Sequence, residues 1–162
     1  MSNGVTDLRH DLRVMGLVGS AHASSHFFHL ILPPLFPILK LDFDVSFAAL
    51  GLLPTLFYGA SGIAQTIAGF LVDRFGARRV LLLGLTLLSI SVIGYGFCFS
   101  FWGLMFFSIT AGLGNSVFHP ADLSILTNKI STNRLGKAYA IHAFSGNIGW
   151  AFAPIFIVTL AG

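Results

Sequence analysis

His22, His26 and His29 follow a four-then-three spacing, so in a helix they share one face. Counted at about 1.5 Å per residue from Val14, where an apolar run begins, they stand roughly 12, 18 and 22 Å along the axis. That count puts His26 near the middle of a bilayer, where ionisable groups are expensive and face a cavity or a partner. Imidazole exchanges protons near neutral pH, which suits coupling to a proton gradient. Asp122 is the only carboxylate well inside an apolar run. His119 lies one turn deeper, beside Pro120, and His142 enters the next run at comparable depth. This trio can carry a proton or structure an inner gate. Asn115 and Asn147, with Ser24, Ser25 and Ser116, add neutral hydrogen-bonding groups suited to a substrate pathway, and equally to holding helices together. The histidines have the same alternative, as groups satisfied between helices. No metal and no cofactor is expected, because helical spacing alone supplies no ligand from a second helix.

These residues sit in a chain that is 55% hydrophobic and only 9% charged, with a mean hydropathy of +0.84. A soluble domain carries roughly a quarter charged residues, so lipid is the expected solvent. Five apolar stretches follow, at about 14–39, 47–72, 80–99, 102–126 and 138–161. Each is near the roughly 20 residues that a helix needs to cross hydrocarbon. Backbone groups in lipid must be satisfied within the segment, so the expected fold is all-α, a polytopic membrane helix bundle. Pro33, Pro34 and Pro37 should break the regularity of the first stretch, and Asp44 or Ser46 can cap the second.

Basic residues assign topology. Arg9, Arg13, Arg74, Arg78, Arg79, Lys129, Arg134 and Lys137 fall on one side of this arrangement and only Lys40 on the other. The positive-inside rule makes the richer side cytoplasmic, with the amino terminus inside and Gly162 near the outer face. The cations form no continuous basic face, so no nucleic-acid partner is expected. The single cysteine, Cys98, excludes an intrachain disulfide.

Between the second and third stretches runs Gly69-Phe70-Leu71-Val72-Asp73-Arg74-Phe75-Gly76-Ala77-Arg78-Arg79. It resembles the signature loop of the major facilitator superfamily, G-x-L-x-D-R-x-G-[RK]-[RK]. Gly69, Leu71, Asp73, Arg74, Gly76 and Arg78 match; Ala77 replaces a basic residue and Arg79 stands in for it. The chemistry suits a cytoplasmic gate: Gly76 permits a tight turn, and the charges can pair with partners only while that side is shut. The run Gly112 to Pro120 and the run Ser145 to Pro154 are similar to the fosmidomycin-resistance branch of that superfamily, with Ala153 in place of a glycine. Ser108 occupies the place of a membrane arginine that many drug antiporters carry. Gly146, Gly149 and Ala153 at helical spacing let another helix approach, while Pro154 bends its own.

The resemblance implies a fold of twelve spans in two halves, of which residues 1–162 would be the first five, an amino-terminal fragment needing its missing carboxy-terminal half. It implies a non-enzymatic secondary transporter in a bacterial inner membrane, exporting a small polar or drug-like molecule by proton antiport and alternating access. A metabolite importer on the same fold is one alternative. A non-transporting membrane scaffold or a haem-bearing redox protein is another.

Overall fold

The computed structural model describes residues 3–161, with side chains from residue 8 onward. The placement of Gly162 therefore lies outside the described residues. Eight α-helices follow one another: α1 Asn3–His29, α2 Phe36–Asp42, α3 Phe47–Leu50, α4 Leu52–Phe75, α5 Ala77–Tyr95, α6 Phe101–Asn115, α7 Phe118–Lys129 and α8 Leu135–Ala161. Among the described residues there is no strand.

Among the described residues, four helical stretches are long and apolar enough to cross a membrane: Phe47–Phe75, Ala77–Tyr95, Phe101–Lys129 and Thr132–Ala161. Their outer faces carry Ile63, Phe70, Leu83, Trp102 and Ile155, all strongly exposed, as helices in lipid require. α1 is long enough but falls below them in hydropathy, since three histidines and four serines and glycines dilute its second half. It also begins earlier than its apolar run: the polar residues before Val14 are helical too.

Prolines account for two of the breaks. The first stretch is not one helix, because Pro33 and Pro34 lack the N–H that would continue α1, and a short 3-10 turn at Pro33–Leu35 leads into α2. Ser46 then caps the second stretch, its hydroxyl accepting from the Ala49 N–H at 3.1 Å; Asp44 instead takes a left-handed turn at φ 48°. The fourth stretch is divided between α6 and α7 at Ser116 and Val117, one turn before Pro120, whose ring crowds the Ser116 carbonyl and cannot donate to it. Pro154 lies inside α8, which continues through it. Gly76 alone joins α4 to α5, at φ 87° and ψ 135°, a conformation that glycine reaches without a Cβ penalty.

α1 lies along α8, and α6 lies between α4 and α5, while α7 reaches α1 and α5. Small residues set these spacings. A Cβ on Gly149 would strike the Ala23 carbonyl of α1, and one on Gly112 would strike the Phe57 carbonyl of α4. Phe57, Val80, Leu88 and Phe118 form one packed core, and Met15, Val18, Leu126 and Ala138 another beside it.

Candidate functional site

One stripe of α1 holds most of the polar chemistry. Asp11, Met15, Val18, His22, Ser25 and His29 succeed one another every three or four residues, and the first five are buried. α7 and α8 complete the site around the middle of that stripe.

Asp122 of α7 is fully buried. His142 of α8 reaches it from Nε2 to Oδ2 at 3.1 Å, and His22 Nδ1 lies 3.4 Å from the same oxygen, without hydrogen-bond geometry. No lysine or arginine pairs with Asp122 among the described residues. The His22 and His142 rings stack with centroids 3.7 Å apart, His26 stands 4.3 Å from His22, and His119 stands 5.1 Å from His22. His119 is the exposed member of this set. Gly146 makes the packing possible, since a Cβ there would come within 2.8 Å of the His26 ring and 2.9 Å of His22 Nε2. An ionisable cluster spanning three helices thus surrounds one buried carboxylate.

A second network adjoins it. Ser25 donates to Asn115 Oδ1 at 2.6 Å, and His29 Nε2 lies 3.0 Å from the same oxygen. The Asn115 amide donates in turn to Ser61 Oγ of α4 at 2.9 Å. Trp150 Nε1 donates to His29 Nδ1 at 3.1 Å. An indole N–H only donates, so His29 Nδ1 carries no proton, and its Nε2–H is the group that Asn115 accepts. His29 is therefore held neutral, as a single tautomer, by one partner on α8 and another on α6.

The signature-loop residues form a separate region. Asp73, Gly76, Arg78 and Arg79 line a groove of about 1110 Å³ between α1, α5 and α7, and Ser24 and Lys129 line it too. Asp73, Arg74, Arg78 and Arg79 are exposed and make no ion pair among the described residues; the Arg74 guanidinium lies 5.5 Å from the Phe75 ring centre. Gly69 is half-buried on α4.

Of the residues singled out from the sequence, His22, His26, His29, Asn115, His119, Asp122 and His142 come together, with Gly146 and Gly149 beneath them and the Pro120 break next to them. Asn147 does not join; it is exposed and makes no hydrogen bond among the described residues. The expected lack of second-helix ligands does not hold, because α7 and α8 bring His119 and His142 to His22. Four contributors were missed. Ser61 and Trp150 carried no signal beyond their types. Asp11, not singled out, and Arg134, read only as a topology-setting cation, form a tie: Asp11 Oδ2 accepts from Arg134 Nε at 2.8 Å and from the Ser131 hydroxyl at 2.7 Å. The Arg134 hydrogen bond holds the Asp11 carboxyl below its ordinary value, against the opposing effect of burial. The regular three-and-four spacing back from His22 was the available signal for Asp11.

The chain matches the Major Facilitator Superfamily over residues 18–162. It is 28% identical over 142 residues to the uncharacterised MFS-type transporter YfnC of Bacillus subtilis, covering 88% of this chain and 34% of that protein. It is 23% identical over 155 residues to the fosmidomycin resistance protein of Escherichia coli, covering 96% of this chain and 38% of that protein. It is also 30% identical over 112 residues to the membrane sensor protein UhpC of Escherichia coli, covering 69% of this chain and 26% of that protein. The chain spans little more than a third of the length of the first two of these relatives.

Proposed function

Because this integral membrane chain belongs to the major facilitator superfamily, we propose that it forms part of a secondary active transporter working by alternating access. The transporter exports a small polar or drug-like molecule from the bacterial cytoplasm in exchange for inward-moving protons. α1 acts as a further span, with its polar stripe turned to protein and its amino-terminal end in the cytoplasm. A carboxy-terminal half completes the substrate pathway.

The observation that carries this reading is the burial of Asp122 without a lysine or arginine partner, inside a group of histidines, in a bundle bounded by lipid-facing helices. A carboxylate there needs positive charge from a proton on itself or on a neighbouring imidazole, so its charge state can follow the gradient. His22, His26, His119 and His142 surround it as proton acceptors. His29 and Asn115 act instead as a neutral scaffold, and Asn147 offers a hydrogen-bonding group to substrate. Asp73, Arg74, Arg78 and Arg79, with Gly69 and Gly76 shaping their loop, form the cytoplasmic gate. Likeness to a fosmidomycin resistance protein supports fosmidomycin as one candidate substrate to test.

The test is proton movement in vesicles carrying the complete polypeptide, read with a pH-sensitive dye. Substrate-dependent collapse of a preset pH gradient is the expected result, and it should be lost in Asp122→Asn. Proton movement accompanying substrate in the same direction would make the protein an importer. Verified insertion with no response to any substrate would overturn proton coupling and favour a non-transporting role, the reading supported by likeness to a membrane sensor.

A further inference from the structure

We propose that His22, His119 and His142, together with the Asp122 carboxylate, bind a divalent cation of the Zn²⁺ class between α1, α7 and α8. One ring nitrogen from each histidine lies within 4.8 Å of one from each of the others. Four ligands placed about 2.0–2.1 Å from Zn²⁺ in a tetrahedron stand about 3.3 Å from each other. Asp122 Oδ2 already meets that spacing, at 3.1 Å from His142 Nε2 and 3.4 Å from His22 Nδ1. His119 has the remaining distance to close. Its side chain is exposed, the one member of the group that the core does not enclose.

Of the buried side-chain atoms without a hydrogen-bond partner among the described residues, which also include Asp11 Oδ1 and His26 Nδ1, two belong to this group. His22 is 2% exposed and its Nδ1 has no hydrogen-bond partner, and the fully buried Asp122 leaves Oδ1 without one. Buried polar groups without partners are rare, and a cation bound between His22 Nδ1 and Asp122 Oδ2 would satisfy that imidazole nitrogen. Charge favours the same ligand. Among the described residues no lysine or arginine pairs with the carboxylate, and a divalent ion bound by one carboxylate and three neutral imidazoles leaves one net positive charge in the bundle. Three imidazoles with one carboxylate suit Zn²⁺, Co²⁺, Ni²⁺ or Cu²⁺ rather than Mg²⁺ or Ca²⁺, which take oxygen ligands. Such an ion would tie α1 to α7 and α8. The inference does not depend on transport, because binding is read directly.

The experiment is a Co²⁺ titration of the chain in lipid nanodiscs, purified without a polyhistidine tag. The expected result is the intense visible absorption of four-coordinate Co²⁺, saturating at one ion per chain and displaced by Zn²⁺. Affinity should fall roughly tenfold or more in His119→Gln and in His142→Gln, and stay unchanged in His10→Gln, which alters an exposed histidine outside the cluster. His119→Gln changes an exposed side chain, so it tests the site without emptying the core. No saturable absorption in the wild-type chain would overturn the proposal. So would absorption that is the same in His119→Gln and in wild type, which would mark the metal as adventitious.

Discussion

Each member of the polar cluster has a state set by its immediate partners. Trp150 and Asn115 leave His29 one tautomer, so His29 differs from its neighbours although all share residue type and spacing. Trp150→Phe removes the donor to Nδ1. The ¹⁵N signals of His29 should then change from a single Nε2–H pattern to a mixture of tautomers, and an unchanged spectrum would show that Trp150 does not set the ring. Asp11 offers a second test. Its folded value is depressed by Arg134, so its contribution is intact above the ordinary carboxylate value of 3.8 and is lost as the pH falls through the depressed range. Asp11→Asn should therefore lower the melting temperature of the solubilised chain at pH 7. The difference from wild type should shrink as the pH is taken below 3.8. A difference independent of pH would mean that packing, rather than charge, holds the tie.

At the scale of helices, the site exists because α1 and α8 approach almost backbone to backbone. Gly149 permits this against Ala23, and Gly146 gives the His22 and His26 rings their room. Replacing Gly149 with Leu cannot be absorbed by a rotamer change, because the obstacle is the Ala23 carbonyl. Overpacking of this kind destabilises by about 1–3 kcal/mol. Gly149→Leu should lower the melting temperature and separate His22 from Asp122, readable as loss of the His22–His142 ring-stacking shifts in NMR spectra. Retention of those shifts would show that the rings do not depend on close packing of the two helices. Breaks between elements matter as well: the Pro120 interruption starts α7 afresh, and it is α7 that carries His119 and Asp122 into the cluster.

Across the whole molecule, two polar regions lie apart. The histidine cluster sits within the bundle, whereas Asp73, Arg78 and Arg79 line a groove and, like Arg74, make no ion pair among the described residues. Unpaired charges of both signs beside an opening fit a gate whose partners come with the other conformation, in which a pair would bias the two-state balance. Asp73→Asn should lower transport in vesicles of matched expression while leaving membrane insertion unchanged. Transport equal to wild type would remove Asp73 from the gate.

Much of this architecture was legible in residue order. Low charge and long apolar runs require helices in lipid, since backbone groups have no other partner there, and proline and glycine positions mark the breaks because their effects are local and covalent. The loop from Gly69 to Arg79 carried the family on its own. Spacing likewise put His22, His26 and His29 on one face. Residue order could not show what that face meets. The 3.6-residue period relates residues of one helix only, whereas the histidine cluster is made across three helices, α1, α7 and α8, and Asp122 and His142 meet through packing. The neutral lock on His29, the tie from Asp11 to Arg134 and the ligand set around Asp122 were decided by tertiary structure, because each depends on atoms that only the close approach of helices brings within hydrogen-bond range.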